Sequence, residues 1–557
     1  MTTFVSASAA PPAATPADNE SIGRASGLMF MGTLLSRLTG AIRTVVLAAF
    51  GLEAVTDAYL QANTTPNMIF ELVAGGVLSA TLIPLFAQLL RRGTRRAQEG
   101  LDAIVSLVGV LVVTASVGLA LAAPFILRLT IPGDANDAKR DLAIKLLPLF
   151  APQVAIYGFV TIATSLLNVR RRFFMPMFAP VLNNLLVIAI LLWVRRSMQN
   201  QSANRQLTTL ATDDRLRLIL GLGTTAGVAA MALAMVPSLR KSGVRLHWRW
   251  EPGHPAIREI VRLSVWTFAY VACNQFALFV TQRLANRVDG DYSAYTLAYQ
   301  TYFLLPHGLF AVSIATALQP RLADAFLDRR RGRFRSTLSN GITMQLTIMI
   351  PAAVGYLVLA KPIVNIFRFG SLDDRGATRL AETLQYFVVG LPAFSVFLLL
   401  MNACKAMRNT KLAFWINGAE TLANIALAVT FVGLGMGVKG LALAYALAYS
   451  VGVVIAFAAV SQRTSGLHGA AVLDAMWRIA AASAAMAAAA FATQRGLHSV
   501  FQDSSLGSGR PGLLVEVGGA IAAGVTVYVV VGRLLGVRDL QIVVAGISRR
   551  ISPGSRR

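Results

Sequence analysis

The chain is short of what a soluble catalyst needs. Charged residues make up only 14% of its 557 positions, against roughly 25% in soluble domains. The two cysteines, Cys273 and Cys404, lie far apart in apolar runs. That excludes a disulfide framework or a thiolate metal site and leaves two small buried hydrophobes. The five histidines, His247, His254, His307, His468 and His498, form no H-E-x-x-H pair or other metal spacing. No G-x-x-x-x-G-K-[ST] loop is present, so the chain carries no ATP-driven motor of that kind. No Ser/His/Asp signature is visible. The first 20 residues are rich in Ala, Pro, Ser and Thr. They lack the basic start and apolar core of a signal peptide.

What is there is hydrocarbon. Hydrophobic residues reach 55% and the mean hydropathy is +0.60, the composition of a membrane protein. The net charge is +25. No basic domain stands outside the apolar runs, so nucleic acid is not an expected partner. Basic loops that orient a polytopic protein account for the excess.

A membrane helix needs about 20 mostly apolar residues. That ruler predicts fourteen spans: 25–50, 55–90, 102–127, 141–168, 175–194, 217–238, 260–285, 294–320, 337–367, 379–404, 411–434, 437–460, 474–493 and 514–536. The second contains Pro66, Gly75, Gly76 and Pro84 and is expected to bend. Lys and Arg crowd alternate loops, as in RRGTRR (91–96), RKSGVRLHWRW (240–250) and RLADAFLDRRRGRFR (321–335). The positive-inside rule then puts both termini in the cytoplasm.

An internal repeat is visible at an offset of 240. Ala58-Tyr59 and Pro66 recur as Ala298-Tyr299 and Pro306, Pro152 as Pro392, and Asn184 as Asn424. Six spans separate the copies, so the repeats run parallel, and such halves enclose a central site. The expected fold is all-α and polytopic, with two six-helix lobes and two added helices. The expected divisions are a disordered cytoplasmic tail (1–23), an N-lobe (24–239), a basic cytoplasmic loop (240–258), a C-lobe (259–461), the two extra spans (462–537) and a basic cytoplasmic tail (538–557).

Charges inside the spans mark candidate sites, because each costs at least about 2.5–3.5 kcal/mol at mid-bilayer. Arg37 and Arg43 lie in the first span, about 240° apart around a helix. Either both reach one cavity, or they snorkel to headgroups. Asp57 opens the second span, as a helix cap or as a partner of Arg43. Glu71, in its middle, must be protonated, paired or wet. Arg283 and Arg287 share a face near the end of the seventh span; they snorkel there or supply cations from the second lobe. Asn417, Glu420 and Asn424 form one stripe, a site for a coupling cation or proton, or a packing contact. Arginine keeps its charge in poor dielectric and binds phosphate through a planar fork. Cations in such a cavity therefore suit a polyanion with a greasy tail.

The stretches SRLTGAIR (36–43), DAYLQANTTPN (57–67) and ELVAGGVLSATLIPLF (71–86) carry a family resemblance, as do LPHGLFAVSIATALQPRLADAF (305–326) and IVNIFRFGSLDDRGATRLAETLQYFVVGLPAF (363–394). Together they resemble the MurJ/MviN family of lipid II flippases, over about residues 22–535. The wording E-L-x-A-G-G and A-Y-T-x-A-Y is similar to that of actinobacterial members. The resemblance implies the fold of the multidrug/oligosaccharidyl-lipid/polysaccharide exporter superfamily. It also implies transfer of an undecaprenyl-diphosphate-linked disaccharide-peptide from the inner to the outer leaflet of the bacterial cytoplasmic membrane. On it, Arg37 and Arg43 bind the diphosphate, and Asp57 pairs with them or gates the outer side. The chain departs from the family at Phe70 and Thr301, where arginines are usual, and at Ala74-Gly75-Gly76, where A-E-G is usual. Arg283 or Arg287 then stands in. A sodium ion or the membrane potential is the expected driving force, with the Asn417/Glu420/Asn424 stripe as the sodium site. No other cofactor or metal is expected. Lipid II and the cell-wall synthesis machinery are the expected partners of a monomer. The alternatives are an exporter of drugs or other polyprenyl-linked glycans, a non-transporting cell-wall scaffold, and a membrane enzyme using acids such as Asp289, Asp291, Asp373 or Asp374.

Overall fold

The computed structural model describes residues 16–52, 55–75, 86–90, 94–132, 137–170, 172–199, 201–288, 292–368, 370–502, 510–537 and 540. Outside them lie residues 1–15 of the expected N-terminal tail, nearly all of the C-terminal tail, Gly76, Pro84, Asp134, Asp289 and Asp291.

Among the described residues the fold is helical throughout. The first lobe holds α1 (Pro16–Ala48), α2 (Val55–Phe70), α3 (Arg95–Thr130), α4 (Asp137–Phe150), α5 (Gln153–Val169), α6 (Phe174–Ser197), the short α7 (Ala203–Thr212) and α8 (Asp214–Arg240). The second holds α9 (Pro255–Arg287), α10 (Tyr292–Leu327), α11 (Arg331–Ile366), α12 (Asp374–Val388), α13 (Leu391–Ala406), α14 (Thr410–Gly433) and α15 (Gly437–Thr464). Then come α16 (Gly469–Gln502) and α17 (Arg510–Leu534), which pack on each other and on α11. Helix α1 starts inside the tail expected to be disordered.

Nine of these helices are long and apolar enough to cross a membrane, or up to twelve if each bent pair is one span. The expected fourteen are thus not reached among the described residues: the segment 25–50 is described only in part, and 76–85 of the second segment lies outside them. Large apolar side chains point outward along the spans, with Leu121, Leu422 and Val454 largely exposed. In water such a surface would aggregate; in a bilayer it is the solvent-facing side.

The repeat has a structural counterpart. Helix α6 packs on α1 and α8, and at the equivalent place α14 packs on α9 and α15. The pair α4/α5 bends by 42° at Ala151–Pro152, and α12/α13 by 48° just before Pro392. Proline has no N–H and clashes with the preceding turn, so each break falls there. The carbonyls near the first break find side chains. Ser116 donates to Ala151 O at 2.8 Å and Thr225 to Leu149 O at 2.6 Å, as hydrocarbon demands. Near Pro66 and Pro306 the coil widens into π turns, Glu71–Gly75 after the first and Ala298–Phe303 and His307–Ala311 around the second.

One apolar core runs through both lobes at the end of the bundle that holds Phe50, Leu127, Tyr292 and Leu441. At the opposite end the core divides into a cluster around Leu338 and Leu399 in the second lobe and one around Leu167 and Met231 in the first. The lobes are therefore joined most broadly at one end, called here the Asp57 end; at the other, where the basic loops lie, the core that links them continues along α3 and α9, through Leu101, Ala256 and Ile260.

The interlobe segment at the basic end is an extended strap fastened to α3. His247 N donates to Asp102 Oδ1 at 3.1 Å, Arg249 N to Ser106 Oγ at 2.8 Å, and Gln98 Nε2 to Arg245 O at 2.7 Å. Arg249 also hydrogen-bonds Glu251 at 2.8 Å and holds that carboxyl below its ordinary range. Trp248 and Trp250 face outward, 71% and 53% exposed. Helices α3 and α9 meet at both ends. His254 lies against Gly100, where an added Cβ would come within 2.9 Å of its ring. At the far end Arg283 donates to Leu129 O at 2.5 Å.

Candidate functional site

A cavity of about 320 Å³ lies between the lobes. Helix α1 contributes Arg43, Thr44 and Leu47; α2 and its π turn contribute Tyr59, Asn63, Asn67 and Glu71; α5 adds Tyr157; α9 and α10 add Gln275 and Gln300. Asn63, Asn67 and Glu71 recur every fourth residue, so one face of α2 is polar. Tyr59 is fixed from behind, its hydroxyl 3.1 Å from Thr224 Oγ1 and its ring edge-on to Phe150. Arg43 and Glu71 are thus brought to one chamber, where Glu71 is exposed and has no ion pair among the described residues.

Arg37 lies more than a turn deeper along α1, is exposed, and presses against the other lobe. A Cβ built on Gly308 would lie 3.2 Å from its guanidinium carbon. The glycine in the π turn lets the guanidinium lie close against the backbone. The neighbouring His307 is buried and hydrogen-bonds Ser395 Oγ at 3.0 Å. Phe70 packs against Tyr157, with ring centroids 5.4 Å apart, and Thr301 is buried in α10. Apolar or small neutral side chains occupy both places.

Asp57 does not pair with Arg43. Its carboxylate is fully buried and accepts from Lys139 Nζ at 2.7 Å and from the Ser293 amide at 2.5 Å. The second bond crosses the lobes: Asp57 caps the first turn of α10, where the helix dipole favours an anion. Lys139 also donates to Asn286 Oδ1 at 3.1 Å, and Asn286 to Thr130 O at 2.9 Å. Ser293 Oγ donates to Leu52 O. Beside this cluster Ser371 N donates to Ala49 O at 2.8 Å. Lys139 was not identified from the sequence, where DAKRDLAIK reads as an ordinary charged loop and helix start.

Arg283 and Arg287 do not line the cavity. Arg283 is engaged by Leu129 O, and Arg287 is exposed at the end of α9. The helical face they share turns to the rim of the bundle at the Asp57 end. Of the loop acids, Asp373 caps α12 by accepting from Gly376 N at 2.8 Å, and Asp374 pairs with Arg368 at 2.9 Å. Both therefore hold local structure.

The stripe on α14 is buried: Asn417 is 1% exposed and Glu420 2%. Asn417 Nδ2 donates to Asn274 Oδ1 at 2.9 Å. Asn417 Oδ1 and Glu420 Oε1 are buried without a hydrogen-bond partner, and Gly452 lies against the Glu420 stem. Among the described residues no group of three or more His, Cys, Asp or Glu could hold a metal ion. An all-oxygen set of one carboxylate and amide carbonyls suits a hard cation.

A second, apolar hollow of about 750 Å³ runs between α10, α11, α16 and α17. Leu305 and Phe310, Pro351 and Tyr356, Ala490, and Ala520 and Gly524 line it. It adjoins α10 at Pro306, two residues from the glycine that receives Arg37.

Comparison with known proteins gives consistent matches. A chain of Rhizobium meliloti (strain 1021), named "Probable lipid II flippase MurJ", is 27% identical over 532 residues, covering 94% of this chain and 96% of that one. A Burkholderia cenocepacia chain named "Lipid II flippase MurJ" is 24% identical over 68% of this chain and 72% of its own length. The solved structure titled "Lipid II flippase MurJ, inward closed conformation" has the same fold, with a TM-score of 0.72 at 22% identity over 91% of this chain and 98% of that one. An inward-facing multidrug resistance MATE family transporter of the MOP superfamily aligns at 0.63 and 16% identity, over 77% of this chain and 94% of its own. Residues 46–506 match the family described as Lipid II flippase MurJ, and the chain belongs to that family.

Proposed function

We propose that this protein is a lipid II flippase of the bacterial cytoplasmic membrane, with both termini in the cytoplasm. The observation that carries this reading is Arg43 in a polar chamber between two lobes whose shared core surrounds the Asp57 end and, toward the basic end, is confined to the α3/α9 side. With the basic loops inside, the chamber faces the cytoplasm. The diphosphate is held by Arg43, with Arg37 on its path in; guanidinium forks bind phosphate oxygens strongly where water is scarce. The polyprenyl chain lies in the apolar hollow beside α10, α16 and α17. The lobes then rock, the Asp57 cluster parts, and the headgroup leaves on the outer side.

The buried stripe on α14 is the candidate site for a coupling sodium ion: Glu420, Asn417 and Asn424 would hold it. Bound there, the ion would neutralise a carboxylate otherwise buried without a cation. A chamber built around arginine disfavours the cationic drugs that the same fold accommodates elsewhere.

The test is reconstitution of the full chain in vesicles with labelled lipid II. Translocation by wild type and its loss on Arg43→Ala are expected. Equal translocation by both, or accumulation of flipped lipid without the protein, would overturn the reading.

A further inference from the structure

The chamber is not uniformly cationic. Across from Arg43 its wall carries the carboxylate of Glu71, which no described cation or donor engages. The sequence offers no nearby partner either: residues 72–90 contain no Lys or Arg. Asn63 and Gln275 line the same space, with Asn63 Oδ1 and Gln275 Oε1 turned away from it and without a hydrogen-bond partner among the described residues.

A carboxylate in a chamber that also holds an arginine has a cationic donor as its natural complement. A primary ammonium offers three N–H donors and a charge, and a hydrogen bond between charged groups is roughly twice as strong as a neutral one. We infer that Glu71 holds a primary ammonium on the peptide part of the translocated headgroup while Arg43 holds its phosphate. The site is then built for a zwitterionic headgroup. This rests on the flippase reading and adds a preference for an amine-bearing stem. A substrate lacking the amine leaves the Glu71 carboxylate without its counter-charge and loses a charge-assisted hydrogen bond.

The experiment uses full-length protein in vesicles and two probes: an undecaprenyl-diphosphate disaccharide-peptide with a free side-chain amine, and the same lipid N-acetylated at that amine. Wild type, E71Q and R43A are compared for binding and translocation, with a thermal melt of each to confirm folding. Wild type should bind the acetylated lipid roughly tenfold or more weakly. E71Q should bind both lipids alike, near the wild-type value for the acetylated one, and R43A should lose both equally. Equal binding of the two lipids by wild type, or undiminished discrimination by E71Q, would overturn the inference while leaving the flippase reading intact. Discrimination that appears only with added sodium or magnesium would also overturn it, since a metal ion would then be the occupant. Failure of wild type to move either lipid would overturn both.

Discussion

Lys139 and Asp57 lie 2.7 Å apart in one lobe, and the second lobe docks onto the pair through the Ser293 amide. Both charges belong to the first lobe. Parting the lobes therefore breaks hydrogen bonds without separating an ion pair. If the lobes part here, as proposed, opening demands only modest energy.

Removing one partner should be worse than removing both. Lys139→Met strands a buried carboxylate, at a cost of about 3–5 kcal/mol. The double variant Asp57→Leu with Lys139→Met should recover much of that. Thermal melting of the three proteins measures it; a double variant no more stable than the single would contradict the account.

Gly370 should be a gate position. Its φ is +74°, and an added Cβ would come 2.4 Å from Ala49 O, beside the Ser371–Ala49 bond that joins the lobes. Gly370→Ala should hold the Asp57 end open. A cysteine introduced as Ser293→Cys should then label faster with a membrane-impermeant thiol reagent than it does with Gly370 present.

Filling the apolar hollow should separate tail from headgroup. Ala520→Phe or Gly524→Phe places a ring where Met486 and Ala490 close the wall. Translocation of the long-chain lipid should fall at least tenfold. Binding of a short-chain analogue should stay within about twofold, given that each buried methylene contributes about 0.8 kcal/mol.

Sodium should stabilise the wild type through Glu420. A ligand at 100 times its dissociation constant adds about 2.7 kcal/mol. The melting temperature should therefore rise with sodium and not with choline, and Glu420→Gln should abolish the rise. A sodium-dependent rise that survives Glu420→Gln would move the ion elsewhere.

The lobes and their repeat were legible because apolar length and proline position are local. Pro152 and Pro392 sit at the two matching breaks, and the chain shows them without any knowledge of neighbours. Arg43 and Glu71 were legible for a related reason: a charge in an apolar run has few places to go. Lys139 was not, because what buries it is Asp57, 82 residues away, and nothing around it in the sequence distinguishes it from a surface lysine. Arg283 illustrates the converse. Its spacing to Arg287 fixes a helix face, but which way that face turns is decided by α3, whose last carbonyls it meets.

The paired ends of α3 and α9, at Gly100–His254 and at Leu129–Arg283, have a consequence for traffic. A molecule whose tail never leaves the bilayer must slide in sideways, and that flank is sewn shut from top to bottom. On the proposed function the doorway is then on the opposite flank, where α1 faces α10 and Arg37 rests on Gly308. That threshold opens beside the greasy trough of α16 and α17, so a lipid could bring its head through the door with its tail already berthed.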